Sequence, residues 1–293
     1  GNITLQNANS GNTAATIAGT GTINCTTVTV GGTNTATTND GVTTLTSTIS
    51  TFSISGNLFI NAEDNGAFEN DAIFSLSTGT VTVAGTVVLD SDTDDNDADA
   101  TFTMDLGTDN GTLVLTGATP FSLSGMGGEL LDFDGLTGGN TTTVNYNGGS
   151  QTVQPSTYRN LVLSGSGTKT LTGVADINRN LTLSGTVTAA TATNFNVDGN
   201  LSIGDGTSMT VAGFNFIVLG TTTIDGTLTS NSTTGTKTFD NIVISVTGEF
   251  NSTVDENYTL TGSLDVNAAA TLTSGSGTWT FSGTGTPTIS GTA

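Results

Sequence analysis

The densest chemistry-bearing stretch is Asp90-Ser91-Asp92-Thr93-Asp94-Asp95-Asn96-Asp97-Ala98-Asp99. Calcium takes about six to eight oxygen ligands, and alternating aspartates in a loop can supply them. Asp90, Asp92, Asp94, Asp95, Asp97 and Asp99 are therefore candidate calcium ligands, and calcium is the one cofactor the sequence suggests. The run lacks the sixth-position Gly and the closing Glu of an EF-hand loop, and it reads equally as a solvated acidic turn. Glu63-Asp64-Asn65-Gly66, with Glu69 and Asp71, is a weaker second candidate.

Other chemistry has little to build on. The chain contains no His, which removes Ser-His-Asp and Cys-His arrangements and most zinc sites. Cys25 is the single cysteine, so an intrachain disulfide is excluded, and no base lies near it in sequence. Arg159 and Arg179 sit one repeat apart and could mimic the base of a β-helix polysaccharide lyase. The next equivalent position is Gly199 and no Asp trio accompanies them, so a solvated pair is the better reading. Trp279 and Phe281 alternate with threonines, which is ordinary core patterning. Thr-x-Thr steps such as Thr27-Val28-Thr29 and Thr221-Thr222-Thr223 permit an ice- or glycan-binding face, but the motif does not hold one position through every repeat. No catalytic residue is assigned, and the chain reads as a non-enzyme.

Composition narrows the partners. Of 293 residues 40 are Gly, 34% are hydrophobic, and the formal net charge is -21. The basic residues are Arg159, Lys169, Arg179 and Lys237, with none in residues 1–150. Nucleic acid is bound by neutralising phosphates with Lys and Arg, so that partner is excluded, and an anionic membrane surface is disfavoured. No apolar run approaches the roughly 18 residues of a membrane helix, so direct insertion is not expected. The N-terminus lacks the basic and apolar regions of a signal peptide, so either a leader was removed or the chain is a segment of something longer. The scarcity of Lys and the Thr, Ser, Asn and Gly bias point to an extracellular, cell-surface location.

The elements that must carry all this are short repeated strands. Asn160-Leu161-Val162-Leu163 recurs as Asn180-Leu181-Thr182-Leu183 and Asn200-Leu201-Ser202-Ile203, with degenerate copies at Thr222-Thr223-Ile224, Asn241-Ile242-Val243-Ile244 and Ser263-Leu264-Asp265-Val266. Apolar residues two apart mark strands with one buried face. Two or three such strands in each repeat predict one coil of a solenoid. Asn160, Asn180, Asn200 and Asn241 then fall at one position of successive coils, about 4.8 Å apart, as a structural ladder whose amides satisfy turn groups. A carbohydrate-binding strip is the minority alternative. The first half repeats more loosely through Val28-Thr29-Val30, Leu58-Phe59-Ile60, Val87-Val88-Leu89, Leu113-Val114-Leu115 and Val144-Asn145-Tyr146.

The expected fold is all-β, a right-handed parallel β-helix with coils of about 20–30 residues and no capping helix. One continuous rod is divided into an acidic half, 1–148, with longer coils, and a regular half, 149–293. The run Gly149-Ser150-Gln151-Thr152-Val153, followed by Tyr158-Arg159-Asn160-Leu161-Val162-Leu163-Ser164-Gly165-Ser166-Gly167-Thr168-Lys169-Thr170-Leu171-Thr172-Gly173, resembles the β-strand-repeat surface proteins of Bacteroidota. The resemblance covers residues 149–293 and implies a parallel β-helix on a large, secreted, adhesin-like protein. It implies no catalytic residue. Strand-like patterning at both termini, Ile3-Thr4-Leu5 and Trp279-Thr280-Phe281, suggests that the chain meets copies of itself head to tail, as a filament, or neighbouring repeats of a longer chain.

Overall fold

A computed structural model of the chain describes residues 1–6, 11–32, 41–64, 69–91, 99–104, 110–125, 129–133, 141–174, 176–284 and 286–291. The described residues are all-β, without a helix, and fall into two compact units, Gly1–Asn145 and Tyr146–Ala293. Strands pair in parallel with strands one repeat away, an arrangement compatible with a β-solenoid. Among the described residues, the antiparallel pairing joins Glu63–Asp64 to Glu69–Leu76.

In the second unit, strand Leu181–Leu183 lies between Asn160–Leu163 and Leu201–Ile203, matching Leu161, Leu181 and Leu201 in register. The same column continues through Thr222, Ile242, Leu264 and Ile289. Leu161, Leu181, Leu201 and Ile242 are fully buried, each contributing about 1.5–3 kcal/mol of burial. A second column runs Phe195, Phe216, Lys237, Tyr258 and Trp279, and its aromatic members pack on one another. Phe195 and Phe216 stack at 6.0 Å, and Tyr258 and Trp279 lie 4.6 Å apart. Beside these, a seven-stranded parallel sheet runs from Gln151–Thr152 to Thr271–Thr273.

Gly165 and Gly185 show why glycine punctuates each repeat. Both have φ of +76°, and a Cβ on Gly185 would lie 2.3 Å from the Gly165 carbonyl oxygen. Only a residue without a side chain accepts that conformation while letting successive turns stack at strand spacing.

The first unit pairs Ile3–Leu5, Val28–Gly31, Leu58–Asn61, Val87–Asp90 and Phe121–Ser124 in one parallel sheet. This differs from the series read in the sequence. Leu113-Val114-Leu115 pairs with Val81-Thr82-Val83 in a different sheet, and the strand matching Val87 begins at Phe121. The chain between Val87 and its partner is longer than in the preceding repeats, so the true partner lies beyond Leu113, whose spacing from Val87 mimics the period.

Candidate functional site

The predicted asparagine ladder is a chain of hydrogen bonds that alternates its chemistry. Asn180 donates through Nδ2 to Asn160 Oδ1 at 3.1 Å. From there the side-chain oxygen takes a backbone donor one repeat on. Asn200 N–H donates to Asn180 Oδ1 at 2.9 Å, and Thr221 N–H donates to Asn200 Oδ1 at 2.9 Å. Asn241 is not the immediate neighbour of Asn200, because Thr221 stands between them in register. Asn241 Oδ1 in turn accepts Ser263 N–H at 2.9 Å.

A second ladder of the same kind accompanies the aromatic column and is absent from the sequence reading. Asn194 Oδ1 accepts Asn215 N–H, Asn215 Oδ1 accepts Thr236 N–H, and Asn257 Oδ1 accepts Thr278 N–H, at 3.0, 2.8 and 2.8 Å. The signal is present, since each Asn immediately precedes an inward aromatic: Phe195, Phe216 and Tyr258. An Asn at a strand entrance satisfies an N–H that the next turn would otherwise leave to solvent.

Of the candidate calcium ligands, Asp92, Asp94, Asp95 and Asp97 lie outside the described residues. Asp90 Oδ1 accepts the Ser124 hydroxyl at 2.6 Å, and Asp99 N–H donates to Asp71 Oδ1 at 3.0 Å. Burial pushes the Asp71 carboxyl up; the Asp99 N–H opposes that shift and the Asp99 charge adds to it. Asp71 belongs to the second acidic candidate, of which Asn65 and Gly66 also lie outside the described residues. Among the described residues no group of three or more His, Cys, Asp or Glu is placed to hold a metal. Cys25 is buried, and desolvation pushes its thiol up. Arg159 and Arg179 are half-exposed, and the Arg179 carbonyl accepts Gly199 N–H at 2.6 Å.

Two of the four cations are in the core. Lys169 is 0% exposed, and its Nζ donates to Gly149 O at 2.7 Å, Gly148 O at 3.0 Å and Gln151 Oε1 at 2.6 Å. Burial brings its amine down to about 8. Lys237, 2% exposed, donates to Thr234 O at 2.8 Å and Phe214 O at 3.0 Å, and lies 3.3 Å from Glu256 Oε2. Strand parity could have found both: Lys169 shares its face with Leu171, and Lys237 shares its face with Phe239. The buried hydroxyls of Tyr146 and Tyr158 lie 2.9 Å apart, and burial pushes both well above the ordinary phenol range.

The seven-stranded sheet turns two ranks of mostly small polar side chains outward. One rank is Thr168, Thr188, Ser208, Thr227, Glu249 and Thr271; the other is Thr170, Ala190, Thr210, Thr229, Asn251 and Thr273. Thr-x-Thr steps stand in these ranks at Thr168-Lys169-Thr170, Thr227-Leu228-Thr229 and Thr271-Leu272-Thr273, but Ala190, Ser208, Glu249 and Asn251 interrupt the strands between, so the motif does not hold one position through every repeat.

No protein-family model, no curated protein and no solved structure matches the chain. No helix among the described residues is long and apolar enough to cross a membrane.

Proposed function

We propose that the chain is a non-enzymatic extracellular structural protein, a right-handed parallel β-helix that forms a filament subunit or a stalk segment of a large adhesin. The observation that carries this reading is the unbroken parallel pairing that links the Leu161 strand, repeat by repeat, to the Ile289 strand. Parallel strands joined by crossovers are right-handed in nearly all proteins, which favours that hand. Repeats that contact only their neighbours extend a rod at constant cross-section, which suits a spacer on a cell surface.

Association through repeat ends fits the last paired strands. Leu272, Trp279 and Phe281 are half-exposed and Ile289 is 70% exposed, yet each pairs in register with a buried residue: Phe250, Tyr258, Leu260 and Leu264. A further parallel repeat, from a second copy or from a longer chain, would cover them and satisfy their backbone groups. Net negative charge opposes close approach, so salt should favour assembly by screening. Electron microscopy across protein and salt concentration tests this: end-to-end filaments are expected, shortened by removing residues 278–293. Folded monomers under every condition, from a gene no longer than this chain, would overturn it.

The threonine ranks of the seven-stranded sheet favour a second reading, an ice-binding face. Neighbouring strands set the hydroxyls about 4.8 Å apart and alternate residues set them about 6.6 Å apart, in a two-dimensional array broken at Ala190, Glu249 and Asn251. Thermal hysteresis that disappears in Thr188→Lys with Thr210→Lys would support it, and unaltered freezing by the native chain would exclude it.

A further inference from the structure

We propose that Lys169 and Gln151 condense into an isopeptide bond that covalently staples the edge strand of the seven-stranded sheet to its neighbour. The two residues are directly opposite partners on adjacent parallel strands, Gln151–Thr152 and Ser166–Leu171. Both side chains are buried, and Lys169 Nζ lies 2.6 Å from Gln151 Oε1, which places the amide carbon one bond beyond. Holding nucleophile and acyl group at such range replaces an encounter between two molecules with an intramolecular step.

The surroundings suit an amine acting as nucleophile. Nζ faces the carbonyl oxygens of Gly148 and Gly149 and the Gln151 amide. The strands on either side of Lys169, Gln151–Thr152 and Thr186–Thr191, carry no titratable side chain. Burial brings the amine down to about 8, so mildly alkaline solution frees its lone pair. The acyl oxygen is polarised by a second donor, since Gly148 N–H reaches Gln151 Oε1 at 2.9 Å, where charge would grow in a tetrahedral intermediate.

In the step, Nζ bonds to Cδ of Gln151 and the Cδ–Nε2 bond breaks. The proton shed by Nζ passes to the departing nitrogen, which leaves as ammonia. No oxidant or co-reactant is consumed. The strand Gln151–Thr152 pairs through two residues only, so a bond at Gln151 reinforces the shortest pairing of this sheet.

Intact-mass measurement of the purified chain, kept at pH 9, tests this. The expected mass is lower than that of the sequence by one ammonia. Trypsin should then fail to cut after Lys169, leaving residues 1–159 joined to residues 160–179. Lys169→Arg should restore the full mass, and Gln151→Met gives the same readout should the arginine variant not fold. The full sequence mass in the native chain overturns the proposal. So does an ammonia loss that persists in either variant, since it would mark succinimide formation at an Asn-Gly pair.

Discussion

Lys237 Nζ lies 3.3 Å from Glu256 Oε2 inside an aromatic core, and both side chains are almost wholly shielded from water. The pair interrupts a column whose neighbours are Phe216 and Tyr258. Two charges taken out of water need their mutual attraction and further hydrogen bonds to offset desolvation. Lys237 has these in Phe214 O and Thr234 O, and Glu256 Oε1 accepts Asn257 N–H at 3.1 Å.

Breaking that pair from one side should therefore cost more than removing it whole. Lys237→Met leaves a buried carboxylate uncompensated, for an expected loss of about 3–5 kcal/mol in urea unfolding. The double variant Lys237→Met with Glu256→Leu should recover much of this, less the cost of two bared carbonyls. Equal losses in single and double variants would mean that the lysine stem, rather than the charge pair, holds this layer.

Thr222 is the polar member of an otherwise apolar column, fully buried, and its Oγ1 has no hydrogen-bond partner. Thr222→Val keeps the shape and removes an unsatisfied hydroxyl, so it should stabilise by about 1 kcal/mol. A lower melting temperature for the valine variant would imply an unseen partner for that hydroxyl.

The legible part of this molecule is the part with a strict period. Leu161, Leu181 and Leu201 recur at a constant interval with unchanged parity, so burial and register follow directly from counting. The first unit is harder because its paired strands lie at unequal separations along the chain. Phe121, the true partner of Val87, lies farther along the chain than Leu113, which belongs to another sheet yet stands nearer the expected spacing. Lys169 and Lys237 have the parity of core residues, but a lysine is seldom buried without partners, and parity alone does not supply them. Those partners come from turn carbonyls at Gly148, Gly149, Phe214 and Thr234, and no periodicity announces where a turn aims its oxygens.

Calcium bound only by the native state should raise the melting temperature through linkage. The alternating aspartates from Asp90 to Asp99 motivate the experiment, because like charges this close in sequence repel unless a cation neutralises them. Melting in calcium should exceed melting in EDTA, and Asp92→Asn with Asp94→Asn should shrink the difference. Coincident curves would leave an ordinary acidic run that binds no calcium.

Asp71 supplies the pH dependence. Its carboxyl is raised from 3.8, first by desolvation, against the backbone bond from Asp99, with the Asp99 charge adding to the rise. A carboxyl that titrates higher in the native state holds its proton there after the unfolded chain has lost one. Above 3.8 the unfolded state thus binds fewer protons, and stability falls as pH rises through that window until the native group also ionises. Asp71→Asn keeps an oxygen for Asp99 N–H, which lies 3.0 Å away, and removes the charge. The asparagine variant should gain stability at pH 7, by less than about 1 kcal/mol because the site is partly solvated, and gain nothing at pH 3. Urea titrations of both chains at the two pH values measure this. A gain of equal size at pH 3 would show that packing or hydrogen bonding, and not the carboxylate charge, sets the cost of Asp71.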